Sequence, residues 1–160
     1  MDTGKAIRTI EGAARISDAA VAIVASRYNG QIVDRLLDAC IVTLLAAGLD
    51  PGKITQARVP GAFEIPVTVR RMAGTGQYDA VIAIGAVIRG ETPHFDFIAA
   101  ECSRGLAETA LHSGIPVIFG VLTVDNIQQA LDRSGDPESN KGSEAATSAI
   151  EMINLFRLIV

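Results

Sequence analysis

His94 carries the clearest chemical signal in the chain. It is one of only two histidines, and imidazole is the side chain best suited to moving protons near neutral pH. It lies in the run Gly85-Ala86-Val87-Ile88-Arg89-Gly90-Glu91-Thr92-Pro93-His94-Phe95-Asp96-Phe97. That run begins apolar, as the end of a buried strand, and breaks at Gly90. A helix start follows, with Thr92 as N-cap, Pro93 as first helical residue and Asp96 as a first-turn acid. Free N–H groups and a partial positive charge at a helix start suit a phosphate. A proton-transfer residue beside an anion cradle is a chemical site in miniature. A histidine merely exposed in a first turn fits the pattern equally well.

Other candidates fall at similar junctions. Tyr28, in Arg27-Tyr28-Asn29-Gly30, follows an apolar run. It could stack on a flat ring, or it could simply cover the edge of the core. Phe63 and Glu64, in Pro60-Gly61-Ala62-Phe63-Glu64, follow a second strand. Glu64 could accept hydrogen bonds from sugar-like hydroxyls, or it could compensate the dipole at a helix start. Arg133 and Lys141 flank a polar loop and could bind an anion, though a lone Arg near a helix end is more often a solvated charge. His112 lies near a helix C-terminus, where a cation is favoured, and reads as structural.

The elements that must position these residues follow from periodicity. Residues 18–26 hold a buried first strand. Residues 31–47 form an amphipathic helix, with Ile32, Leu36, Cys40 and Leu44 in one row and Val33, Leu37, Ile41 and Leu45 in the next. Asn29 suits its N-cap and Gly48 its stop. A short strand over 54–59 precedes a helix that tolerates Pro66 in its first turn and ends near Gly74. A strand over 78–88 leads into a helix over 93–113. A strand over 115–123 leads into a helix opened by a capping-box variant at residues 125–128. A last helix starts at Lys141. The order βαβαβαβ plus two helices predicts a four-stranded parallel sheet covered on both faces, as one domain over 18–160. Residues 1–17 read as a frayed arm or an edge strand. Ligands of such sheets bind at the carboxyl ends of the strands, where Tyr28, Glu64 and His94 would converge.

Composition bounds the rest. The chain has 160 residues, 49% of them hydrophobic, with a net charge of −4. That is enough for one packed domain. No basic stripe invites nucleic acid. The run 19–25 is too short to span a bilayer, and Glu11 and Arg15 break any signal-peptide pattern, so a cytoplasmic protein is expected. The two cysteines, Cys40 and Cys102, sit on apolar helix faces and read as buried free thiols. No metal constellation, dinucleotide fingerprint, P-loop or nucleophile elbow is present. The surplus of apolar residues on the last helix, from Met152 to Val160, suggests a contact between subunits or simply core.

Four segments carry a resemblance. VPGAFEIP over 59–66, GAVIRGETPHFDF over 85–97, PVIFGVLT over 116–123, and Gln129-Ala130 through Arg133 with Asn140-Lys141-Gly142 match the lumazine synthase family in order and spacing. The resemblance implies a flavodoxin-like three-layer α/β sandwich and a transferase of riboflavin biosynthesis that needs no metal or cofactor. It implies condensation of 5-amino-6-(D-ribitylamino)uracil with 3,4-dihydroxy-2-butanone 4-phosphate. Tyr28 matches a position where Phe or Trp usually stacks on the pyrimidine. Ala62, Phe63 and Glu64 match the segment holding the ribityl chain and ring, and Ala86, Val87 and Ile88 the backbone reading the uracil edge. Glu91, through its amide, and Thr92 match the phosphate turn. His94 matches the proton-transfer residue, Arg133 the phosphate-binding arginine, and Phe119 a residue lent by a neighbouring subunit. The implied assembly is built on pentamers, up to a sixty-subunit shell, with small-molecule substrates. The rivals to this reading are a non-catalytic flavin or lumazine binder and the related archaeal-type riboflavin synthase.

Overall fold

A computed structural model describes residues 6–159. Four strands, β1 (Val21–Ser26), β2 (Ile54–Val59), β3 (Ala80–Ile88) and β4 (Val117–Val124), form one all-parallel sheet in the order β2-β1-β3-β4. The helices are α1 (Gly30–Ala46), α2 (Ile65–Ala73), α3 (His94–Ser113), α4 (Ile127–Ser134) and α5 (Lys141–Leu158). The expected element order and sheet therefore stand. The strand over 78–88 starts two residues later than expected, and that over 115–123 runs from Val117 to Val124.

The sheet divides the core by side-chain alternation. Val21, Ile23 and Ala25 of β1 face α1 and α5, packing with Leu36, Cys40, Leu44 and Ile150. Ala22 and Val24 face the other way, onto Ile65 and Val69 of α2 and Cys102 and Leu106 of α3. β1 is buried along its whole length, as is β3 through Ala86, which is why both read as unbroken apolar runs. The edge strands β2 and β4 mix buried with exposed positions. Helix α5 lies so close to α1 that a Cβ on Gly142 would stand 1.9 Å from the Leu36 carbonyl oxygen. Only glycine fits there. Asn140 caps the same helix through hydrogen bonds from the Gly142 and Ser143 amides.

The arm over 1–17 lies partly outside the described residues, at positions 1–5. From residue 6 to 17 it forms no strand. It is not frayed beyond Gly12, whose α-carbon packs on the backbone of Glu151. Asn154 donates to the carbonyls of Ala13 and Arg15, Arg157 to those of Ser17 and Asp18, and the Ile16 amide to Ala47. Ile16 itself is buried. The apolar surplus at the end of α5 is divided: Met152 and Leu155 are half-buried, Phe156, Leu158 and Ile159 are exposed, and Val160 lies outside the described residues.

Two helix starts differ from expectation. Asn29 flanks α1, but its backbone is left-handed, with φ 57°, and its side chain caps nothing. Thr92 and Pro93 lie outside α3, which begins at His94 without a side-chain cap. The Thr92 hydroxyl is 3.5 Å from the His94 amide, a loose contact, and the turn closes instead through Asp96 N–H to the Pro93 carbonyl at 3.0 Å. The opening of α4 is as expected in kind. Asn126 accepts from the Gln129 amide, and the Gln129 side chain accepts in return from the Asp125 amide.

Candidate functional site

Neighbouring strand ends bring most of the candidate residues to one side of the sheet. The loop after β1 is pinned to the end of β2 by two bonds, Arg27 N–H to the Val59 carbonyl (2.8 Å) and Tyr28 N–H to the Pro60 carbonyl (3.0 Å). The same loop is pinned to β3 by Asn29, whose Nδ2 donates to the Ala86 carbonyl at 2.9 Å. Arg58 adds a third link, reaching the Ser26 carbonyl and Asp34 of α1. Tyr28, the Ala62–Glu64 turn and Ala86 thus stand in a fixed relation that none of these segments could adopt alone.

The Tyr28 ring is 73% exposed, so it does not serve as a lid on the core. Phe63 is 59% exposed beside a buried Ala62. Glu64 spends one carboxylate oxygen on the Gly61 amide, 2.9 Å away, closing its own turn as a helix-start acid does. His94 is exposed at the first residue of α3. Glu91 and Thr92 are exposed in the turn before it.

Strand β3 outruns its neighbour on this side. Its pairing with β1 ends at Ala25–Ile84, whereas its pairing with β4 continues to Ile88–Val124. On the β1 side, the backbone over residues 86–88 therefore has no strand partner. Asn29 takes the Ala86 carbonyl, and the remaining strand-type groups there are open to a flat ligand that offers donors and acceptors along one edge.

Phe119 and Arg133 lie elsewhere. Phe119 sits in mid-strand on the outer edge of β4, opposite Ala83, and is 47% exposed. With Arg133 it lines a concavity of about 260 Å³ that also holds Lys141, Glu144 and Ser148. None of Tyr28, Phe63, Glu64, Glu91, Thr92 or His94 lines it. Arg133 donates to the carbonyl of Gln129 on its own helix, and Lys141 pairs with Glu144. Within one chain, the candidate residues thus form two groups.

Two further residues, Asn29 and Arg89, make contacts that the sequence did not suggest. Asn29 carries a tether rather than a cap. Lys141, read from the sequence as an anion-binding candidate with Arg133, lines the same concavity as Arg133 and Phe119. Arg89 hydrogen-bonds Asp125 and Asp96, contacts that raise its pKa above the usual guanidinium value. Burial pushes the thiols up, Cys40 to about 12 and Cys102 to about 11, so neither is a nucleophile at neutral pH. Among the described residues, no group of three or more His, Cys, Asp or Glu could hold a metal ion, and no helix is long and apolar enough to cross a membrane.

A parallel sheet in this strand order, with helices on both faces and one strand outrunning its neighbour, defines a flavodoxin-like α/β fold. Residues 18–157 match the family described as 6,7-dimethyl-8-ribityllumazine synthase, and the chain belongs to that family. It is accordingly a transferase of riboflavin biosynthesis that acts on small molecules.

Proposed function

We propose that this chain condenses 5-amino-6-(D-ribitylamino)uracil with 3,4-dihydroxy-2-butanone 4-phosphate to give 6,7-dimethyl-8-ribityllumazine, phosphate and water. The observation that carries this reading is the open edge of β3 beside an exposed aromatic ring. The backbone over residues 86–88 offers a uracil edge its complement, and Tyr28 offers the ring a face. Phe63 and the free part of Glu64 lie toward the ribityl chain.

The phosphate docks at the turn before α3, on the amides of Glu91 and Thr92. The uncapped N–H groups of that helix start support this placement. The Glu91 carboxylate turns away, because two negative groups repel. Arg133 supplies the neutralising charge. The substrate amine attacks the ketone carbonyl and yields an imine with loss of water. His94 moves protons while the phosphate leaves, and the ring closes with loss of a second water. Much of the rate comes from holding two substrates together.

The separation of Phe119 and Arg133 from the other residues supports a site completed by a second copy, with the concavity on β4 of one chain facing the strand ends of the next. A homo-oligomer built on pentamers, up to a sixty-subunit shell, is part of this reading. So is a cytoplasmic location, with which two free buried thiols agree.

The test is absorbance at the lumazine band after both substrates are mixed with purified protein, against a control without protein, since this condensation also runs slowly unaided. A rate well above the control, matched by phosphate release, upholds the synthase. A rate equal to the control, with tight flavin or lumazine binding, leaves the non-catalytic binder in its place. Turnover of lumazine alone to riboflavin points to the archaeal-type synthase.

A further inference from the structure

Arg89 braces the turn that precedes α3. Its Nε donates to Asp125 at 3.0 Å and one terminal nitrogen donates to Asp96 at 3.1 Å. Its guanidinium carbon lies 4.3 Å from the centroid of the Phe95 ring, and its backbone amide donates to the Val124 carbonyl at 2.8 Å. These contacts join the end of β3, the first turn of α3 and the lead-in to α4.

The turn over residues 90–93 leaves the chain at Arg89 and rejoins it at His94. Both of its ends are therefore held by one side chain, through Phe95 and Asp96 on the far side. Asp125 is itself part of the reciprocal cap of α4, because its amide donates to Gln129. Arg133 lies in the last turn of that helix.

Exposed ion pairs of this kind contribute little to stability. A planar fork with two carboxylates and a ring against it does fix direction, which a mobile ammonium would not. We propose that Arg89 is a positioning residue that holds the turn over residues 90–93 against the lead-in to α4, and so fixes the Glu91 and Thr92 amides. This rests on the reaction proposed above, in which that turn receives the phosphorylated substrate.

The test compares Arg89→Met, which keeps the stem, with Arg89→Lys, Asp125→Asn and the double variant Arg89→Met/Asp125→Asn. Steady-state kinetics are read for each substrate, and titration calorimetry follows inorganic phosphate. Loss of one aligned charge-assisted contact predicts that Arg89→Met raises the KM for 3,4-dihydroxy-2-butanone 4-phosphate and the Kd for phosphate together, by roughly five- to tenfold. The KM for the pyrimidine and the melting temperature should hold. Arg89→Lys should recover part of the loss. The double variant should be no worse than Arg89→Met, because both changes break one brace.

Equal rises in both KM values, a fall in melting temperature without a selective change, or wild-type behaviour of Arg89→Met would each overturn the inference. The unaltered protein separates this from the reaction itself. If it turns over while the Arg89 variants are unchanged, the brace alone fails. If it binds phosphate without turnover, the reaction reading fails and the titration still decides the brace. If it does neither, both fall.

Discussion

The strand-end group and the β4 concavity are built in opposite ways. Around Tyr28, two loops and the end of β3 are stitched together by backbone bonds and by the side chain of Asn29, and the residues stand at set distances before any ligand arrives. Around Phe119, an edge strand and two helices leave an open hollow, with a large aromatic half out of it and Arg133 bonded only within its own helix. The first is preorganised. The second stays open to solvent in this chain. The contrast teaches why the proposed reaction calls for a second copy: on that reading, the preorganised group of one chain meets the open concavity of the next.

The largest expected effect lies in the preorganised group. Replacing His94 by Gln should lower kcat on the order of a hundredfold, as loss of a general acid–base does. KM values and folding should be little changed, because His94 is exposed. A drop below tenfold in single-turnover assays would sink its role in proton transfer.

The open concavity should answer differently. Arg133→Gln should raise the KM for the phosphorylated substrate about tenfold or more, with kcat nearly kept, since ground-state binding is what is lost. Mixing unfolded His94→Gln and Arg133→Gln chains and refolding them together should restore part of the activity. No restoration, with oligomers formed, would mean that both groups serve a site within one chain.

A smaller effect separates the tether from the backbone it holds. Asn29→Gly keeps the left-handed turn and loses only the bond to Ala86. Asn29→Ala also strains the backbone, adding about 1–2 kcal/mol of destabilisation. Both should raise the KM for the pyrimidine, and only the alanine variant should unfold markedly earlier in urea. If both unfold alike, the left-handed turn carries no strain that glycine relieves.

The smallest effect belongs to neither region and serves as a control on the core between them. Cys40 titrates near 12 in the folded chain, against an ordinary value of 9.0. The unfolded thiol ionises first, so stability should be constant below pH 9 and fall as pH rises from there toward 12. A Cys40→Ala variant, itself less stable, should show a shallower alkaline decline in denaturant titrations. An equal slope would mean that other groups govern it.

Amino-acid order by itself determined the strands, the helices and the two-sided core. Each rests on local periodicity: the all-apolar runs of β1 and β3, the two rows of α1, and the breaks at Gly48 and Gly114 mark themselves within a few residues. It also determined which residue types sit at the strand ends. What only the tertiary structure decided were the links between distant segments. Asn29 looked like a helix cap, yet it reaches a carbonyl 57 residues away. Arg89 gave no sign of Asp125, 36 residues on. The division of Phe119 and Arg133 from the rest depends on β4 being an edge, which is a fact of strand order. Such contacts arise when loops from different strands are brought to one end of a sheet, and no pattern within a single stretch of chain encodes that meeting.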